Sequence, residues 1–287
     1  MHNLRFCLDK DYRGGFVEEW FTKIIGKPLN LKAPKTYNEK IQWLKVNDST
    51  RKKARLADKY LVRKWIEKKL GKKYLTDLYG CWMKFEDIDF AKLPDKFVLK
   101  CNHGCGYNII VTDKSQFDIY DAREKINNWM SEDYGLNAYE LYYSLIKRRI
   151  IAEEYIDTDV SPIEMQAWCF NGQVKFVSYE TVKYAEKHCR CVLGCDWKPV
   201  DFKISPSNYE DFPEIPKKPD CYEEFLEIAT KLSSGFYHVR VDFMFCGEKL
   251  IFREMTFTPG SGRSVFKPED AAIKVGDMMK LPCDKKF

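Results

Sequence analysis

The chemistry this 287-residue chain can do is concentrated in a few short stretches, the first beginning at Lys100. Lys100 closes the apolar run Phe97-Val98-Leu99, and the loop Cys101-Asn102-His103-Gly104-Cys105-Gly106-Tyr107-Asn108 follows it. Backbone amides in such a loop can face phosphate oxygens, because glycine permits close approach, while the lysine supplies a point charge. The same glycines also suit an ordinary hairpin tip, so the loop alone leaves both readings open.

A second group lies near the C-terminus. Alternation places Arg240 and Asp242 on one face of a strand, and Arg253 and Glu254 fall in the middle of the next. Both strands are otherwise apolar, and burying an uncompensated carboxylate there is costly. A divalent cation beside phosphates would remove that cost, and two carboxylates suit Mg2+, which prefers hard oxygen ligands and keeps several waters. The alternative is an Arg240–Asp242–Glu254 ion-pair network. Glu153 and Glu154 end a third strand and Glu164 opens a fourth; by position alone, such strand-end acids face solvent. His188, Cys189, Cys191 and Cys195 are metal-ligating types, but their short irregular spacing lacks a second paired half and argues against zinc.

The elements that must carry these residues can be read from pattern. Thr36-Tyr37-Asn38-Glu39 has capping-box spacing and predicts a helix to about Lys45. A second helix is expected from Arg51 to Gly71, with Leu56, Tyr60, Trp65 and Ile66 inward. From Phe97 onward strands take over: 97–99 and 109–111 read as a hairpin, two helices are expected over 121–132 and 137–147, and 149–156 reads as a strand. Asn171-Gly172 predicts a two-residue turn between strands 164–170 and 173–180. The proline-bearing stretch Ile204 to Pro219 is a connecting loop. Asp220 with Glu223 is expected to cap a helix to about Ser233, and strands 238–245 and 249–256 form a last hairpin through Cys246-Gly247-Glu248. The fold class is α+β with antiparallel strands.

Composition narrows the classes of function. With 45% apolar and 15% aromatic residues the chain can bury a sizeable core. No stretch of about 18 residues is free of charge, and residues 1–15 carry Arg5, Asp9, Lys10, Asp11 and Arg13 where a signal peptide would be apolar, so a cytoplasmic protein without a membrane span is expected. Eleven cysteines in a chain of this size read as reduced thiols. The 48 basic against 43 acidic residues are too balanced for nucleic-acid binding, and Arg51-Lys52-Lys53 with Arg55 reads as a solvated helix face.

Taken in chain order, Phe97-Val98-Leu99-Lys100 with its loop, Ile150 to Ile156, Val239-Arg240-Val241-Asp242-Phe243 and Phe252 to Gly260 resemble the ATP-grasp signature. Leu29-Asn30-Leu31-Lys32, Pro34 to Trp43, Ala57-Asp58-Lys59-Tyr60, Lys100 to Gly104 and the segment beginning at Thr256 resemble more closely the TupA-like ATP-grasp group of bacterial surface-polysaccharide gene clusters, over about residues 28–270. The resemblance implies an ATP-grasp fold: a helical portion over 1–75, then two α+β lobes over 76–157 and 158–287 with the nucleotide between them. It assigns Lys59 and Lys100 to the phosphates under the Gly104–Gly106 loop, Glu153 and the backbone near Tyr155 to adenine, and Glu164 to the ribose hydroxyls. Arg240 would face the transferring phosphoryl group, with Asp242 and Glu254 holding Mg2+. Thr256 stands where many ATP-grasp ligases have Asn, and a hydroxyl is a poorer ligand than an amide oxygen. For a further phosphate-facing cation, Lys183, Lys187 and Arg190 are available, of which Arg190 is preferred.

The reaction so implied is that of a carboxylate–amine ligase. ATP phosphorylates a carboxylate, and an amine attacks the acyl phosphate to release an amide, ADP and phosphate. The expected reactants are an amino acid and a sugar or nucleotide sugar. His103 either deprotonates the amine or orders the phosphate loop, and Gly260 to Ser264 with Arg263 either holds the carboxylate reactant or is a surface turn. A glycosyltransferase or sugar kinase would use a similar metal site, and a non-catalytic nucleotide-binding or RNA-binding module is the third reading.

Overall fold

The computed structural model describes residues 9–156, 163–181, 188–205, 209–247 and 249–282. The chain divides into two compact units: a central unit, Thr50–Asp159, and a flanking unit formed by Met1–Ser49 with Val160–Phe287. Both combine helices with antiparallel sheets.

In the central unit, helices α3 (Arg51–Ala57) and α4 (Leu61–Leu70) precede strand β1 (Leu78–Trp82). Strands β2 (Phe97–Cys101), β3 (Asn108–Val111) and β4 (Ile150–Glu154) complete a four-stranded sheet in the order β1-β4-β2-β3. Helix α5 (Ile119–Ser131) lies against it, burying Ala122 and Ile126 with Phe97, Leu99, Val111, Ile150 and Ala152. The single helix expected over 51–71 is interrupted. Asp58 ends α3, and its carboxylate accepts the backbone N–H groups of Tyr60 (2.9 Å) and Leu61 (3.1 Å), as a short acidic side chain does at a helix start. The helix expected over 137–147 is also replaced, by the one-turn α6 (Tyr134–Asn137) and a 3₁₀ turn at Tyr143–Leu145. Tyr139 adopts φ 57°, which a helix cannot continue through.

The flanking unit begins with α1 (Lys10–Ile25) and α2 (Tyr37–Asn47). Thr36 and Glu39 form the reciprocal capping box at the start of α2. Strands β5 (Ile163–Phe170), β6 (Gln173–Thr181), β7 (Arg190–Gly194), β9 (His238–Cys246) and β10 (Lys249–Thr256) form a sheet in the order β10-β9-β5-β6-β7. Short β8 (Lys203–Ser205) pairs with β11 (Val265–Lys267), and helices α7 (Tyr222–Ser233) and α8 (Ala271–Asp277) complete the unit's regular elements among the described residues. The α7 start differs in detail from the expected Asp220 cap, since Cys221 precedes it and no side chain caps it.

The two faces of the five-stranded sheet have different tasks. Val177, Val239, Val241 and Phe243 lie on the face that α7 covers with Phe225, Ile228, Ala229 and Leu232. Phe225 and Phe243 meet there edge to face at 5.8 Å. On the other face, Trp168, Phe170, Phe176 and Val192 pack against Tyr37 and Ile41 of α2 and Val275 of α8. Farther along the same strands that face turns polar, and it carries the charged residues singled out from sequence.

Candidate active site

In the central unit, sheet pairing sets Val98 opposite Glu153 and Lys100 opposite Ile151, so Lys100 and Glu153 are diagonal neighbours on β2 and β4. Glu153 is only 6% exposed. Its carboxylate pairs with Lys100 and accepts from Arg63 Nη1 at 2.7 Å, while Arg63 also donates to Thr76. The strand-end acid expected in solvent is therefore buried between two cations, because α4 brings Arg63 over the end of β4. Glu154, by contrast, accepts from the exposed backbone N–H of Asp77 at 3.0 Å. Tyr155, half-buried, follows the end of β4.

The loop between β2 and β3 is pinned from several sides. Lys59 Nζ donates to the Gly104 carbonyl at 2.7 Å, and the Lys59 N–H donates to the Asn102 carbonyl at 3.2 Å. Asn102 reaches the Lys147 carbonyl and the Arg149 N–H, and Arg149 lies 3.4 Å from the Asp58 carboxylate, so Asp58 positions both the turn before Lys59 and the strand entry beyond the loop. Burial pushes the Asp58 carboxyl up from its ordinary 3.8 against these hydrogen bonds and Arg149. The two loop glycines are glycine for different reasons. Gly106 adopts φ 78°, whereas a Cβ on Gly104 would lie 2.6 Å from the Tyr107 ring. His103 is 2% exposed, and its Nε2 lies 3.0 Å from the Trp129 carbonyl, which can only accept, so Nε2 carries the proton. Burial lowers its pKa below 6.5.

In the flanking unit the polar sheet face is built by register. Asp242 stands opposite Gln166 on β5 and opposite Glu254 on β10, Glu164 stands opposite Glu180, and Glu180 opposite Arg190. The Arg240 guanidinium grips Asp242 through Nε at 2.8 Å and Nη2 at 2.5 Å and lies 3.7 Å from Glu254 Oε1. Thr256 Oγ1 donates to Glu254 Oε1 at 3.0 Å. Asp242 is completely buried, whereas the Glu254 side chain is 28% exposed. Burial pushes the Asp242 carboxyl up to about 8, opposed by Arg240 and reinforced by Glu254 and Glu164. Glu180, also raised by burial, pairs with Arg190, whose guanidinium sits 4.1 Å over the Tyr209 ring. Lys183 and Lys187 lie outside the described residues, as does Glu248 of the β9–β10 connection.

After β10 the chain enters Pro259–Gly262, where Gly260, Ser261 and Gly262 have φ of 56°, 55° and 66°. Helix α2 holds this turn: Lys45 Nζ donates to the Ser261 carbonyl at 2.7 Å, Gln42 Nε2 to the Ser261 and Gly262 carbonyls at 3.0 Å, and Asn38 exchanges two bonds with Ser264. Arg263 is exposed, with its guanidinium 5.8 Å over the Trp20 ring. Sequence reading placed a helix at 37–45 without the role of Asn38, Gln42 and Lys45, and it overlooked Arg63, Gln166 and Glu180. Only Gln166 and Glu180 left a local signal, as polar residues that alternation in one hairpin puts on the same sheet face as Glu164.

Among the described residues no three His, Cys, Asp or Glu side chains gather as a metal site. The β9–β10 hairpin offers two carboxylates and a hydroxyl, a small oxygen set that fits a cation completing its shell with water and phosphate oxygens. No helix among the described residues is long and apolar enough to cross a membrane.

The profile of the TupA-like ATP-grasp family matches residues 39–280, so the chain belongs to that family and has its ATP-grasp, α+β fold. No curated protein matches it. Among solved structures it is similar to a D-alanine–D-alanine ligase from Bacillus anthracis complexed with ATP, at 16% identity and TM-score 0.47 over 81% of this chain and 68% of that one. It is also similar to an L-amino acid ligase from Bacillus licheniformis, at 14% identity and TM-score 0.49 over 90% of this chain. The chain spans 57% of the length of that ligase, and 61% of a D-alanine–D-alanine ligase from Helicobacter pylori that it matches at 15% identity and TM-score 0.43 over 78% of its own length.

Proposed function

We propose that this protein is an ATP-dependent carboxylate–amine ligase that forms an amide through an acyl phosphate. The observation that carries the reading is the placement of Arg240, Asp242 and Glu254 on one face of the β9–β10 hairpin. Bound to Asp242 and Glu254, Mg2+ would supply charge neutralisation to the phosphates of ATP. Arg240, released from its bidentate hold on Asp242, neutralises charge on the transferring phosphoryl group and then on the acyl phosphate. Phosphoryl transfer needs positioning and charge more than a protein nucleophile, and this set provides both.

The remaining roles are those the family resemblance implies, and each suits what its side chain can do. Lys100 and Lys59 bind phosphate oxygens with the Gly104–Gly106 loop, and Glu153, which also pairs with Lys100 and Arg63, meets adenine. The backbone at Tyr155 meets adenine, Glu164 accepts from the ribose hydroxyls, and Arg190, oriented by Glu180, adds positive charge. His103 orders the phosphate loop, since its Nε2 proton is committed to Trp129. The Gly260–Ser264 turn and Arg263 hold the carboxylate reactant. The reactants are an amino acid and a sugar or nucleotide-linked sugar for a bacterial surface polysaccharide, handled in the cytoplasm.

The test is a panel of amino acids and nucleotide sugars incubated with Mg-ATP and read by mass spectrometry. An amide product whose formation releases ADP only when both a carboxylate and an amine are present is the expected result. A phosphorylated sugar with no amide would assign a kinase instead, and transfer of a glycosyl group without ADP would assign a glycosyltransferase.

A further inference from the structure

Thr256 leaves the metal set of the β9–β10 hairpin one amide oxygen short of the usual carboxylate–carboxylate–amide arrangement, and the neighbouring strand carries an amide in register with it. Gln166 on β5 is the direct cross-strand partner of Asp242 on β9, which places the two Cβ atoms about 5 Å apart on the same sheet face. Gln166 is 4% exposed. Its Nε2 donates to the Glu180 carboxylate and lies 3.3 Å from Glu164 Oε1. Both partners are carboxylate oxygens, so the NH2 end of the amide faces them and the assignment of its two ends follows from the network. Its Oε1 is left buried with no hydrogen-bond partner. A buried amide oxygen without a donor forfeits its hydration for nothing, at a cost that a native protein tolerates where a ligand meets it.

We infer that Gln166 supplies the amide oxygen missing at Thr256 and is a third protein ligand, with Asp242 and Glu254, of the divalent cation that accompanies ATP. The inference rests on the metal role proposed for that carboxylate pair. Hard-cation chemistry favours it: an amide carbonyl is a good ligand for Mg2+ or Mn2+, and Glu180 and Glu164 hold the amide by its other end without entering the set. Thr256, bonded to Glu254, then orients that carboxylate.

The test measures Mn2+ binding to the full-length protein with saturating ADP, by the electron paramagnetic resonance of the free ion. Glu254→Gln, Gln166→Met, Thr256→Asn and the Gln166→Met/Thr256→Asn pair are compared, with thermal melts alongside. Gln166→Met is expected to weaken Mn2+ binding about tenfold, and Thr256→Asn to restore most of that loss in the double variant. Weakened binding in Glu254→Gln with unchanged binding in Gln166→Met overturns the inference and leaves the metal site standing. Unchanged binding in Glu254→Gln overturns both. A Gln166→Met loss that Thr256→Asn does not restore makes Gln166 structural and overturns its role as a ligand. If Gln166→Met melts before it can be titrated, Gln166→Asn keeps the amide and withdraws it by one methylene; wild-type Mn2+ affinity in that variant overturns the inference, and a loss restored by Thr256→Asn supports it.

Discussion

Asp242 and Glu254 face each other across β9 and β10 because Arg253 is an extra residue in the ladder, between the Phe252–Phe243 and Glu254–Asp242 pairs. Without that bulge Glu254 would oppose Val241, which is fully buried on the face that α7 covers. One inserted residue thus moves a carboxylate from the core side to the polar side of the sheet.

Deleting Arg253 is therefore expected to cost on the order of 3 kcal/mol or more, because it turns Glu254 into an apolar core. Arg253→Ala keeps the residue count and should stay within about 0.5 kcal/mol of wild type. Urea unfolding of the two variants separates the role of the bulge from that of the arginine.

Glu254→Gln keeps size and polarity and should fold, retain part of its ATP affinity and lose orders of magnitude in ADP release. If the Arg240–Asp242–Glu254 network were only structural, the variant would instead lose stability, about 3–5 kcal/mol for a buried pair and less here because Glu254 is partly exposed. Melts run beside the ADP assay distinguish the outcomes, and a folded variant with normal turnover would remove the metal role.

Lys100→Ala should weaken ATP binding by about 1.5–3 kcal/mol through loss of a charge-assisted phosphate contact. It also removes one cation from buried Glu153, which keeps its pair with Arg63, so some stability should go too. Lys100→Ala/Glu153→Gln should recover that stability but not the affinity, a difference that calorimetry and melting resolve together.

The turn after β10 offers a paired glycine test. Gly260→Ala and Gly262→Ala both place a side chain at positive φ, at about 1 kcal/mol each. Only at Gly262 does the new Cβ meet Gln42 Nε2 at 2.4 Å and Ile41 at 2.8 Å, whereas at Gly260 the nearest atom is Ser264 Oγ at 3.6 Å. Gly262→Ala should be the more destabilised by a further 1–3 kcal/mol or so, and equal melting of the two would show that α2 does not constrain the turn.

His103 gives the pH dependence. Its folded pKa lies below the unfolded 6.5, so the unfolded chain binds more protons at acidic pH. Its contribution to stability is complete above 6.5 and is lost as pH falls through the lower folded value. His103→Gln, which keeps an N–H donor but cannot titrate, should therefore lose less stability than wild type between pH 7 and pH 5, as followed by thermal melts; parallel losses would mean that His103 is not held neutral.

Features written within a few residues were legible in the chain alone: the Thr36–Glu39 cap, the Asn171-Gly172 hairpin, and the ordered Lys100, Arg240–Asp242 and Glu254 motifs from which the ATP-grasp family could be recognised. Turn chemistry, capping and alternation are local, and a motif needs only its neighbours. The rest depended on partners distant in sequence. The setting of Asp58 at the helix break needed Arg149, the burial of Glu153 needed Arg63 from another element, and the meeting of Gln166 and Glu254 at Asp242 needed three strands in register with one residue bulged out. Register and burial are properties of the assembled sheet, because a side chain's face and its solvent are set by whatever strand or helix packs beside it, and only the tertiary structure decided them.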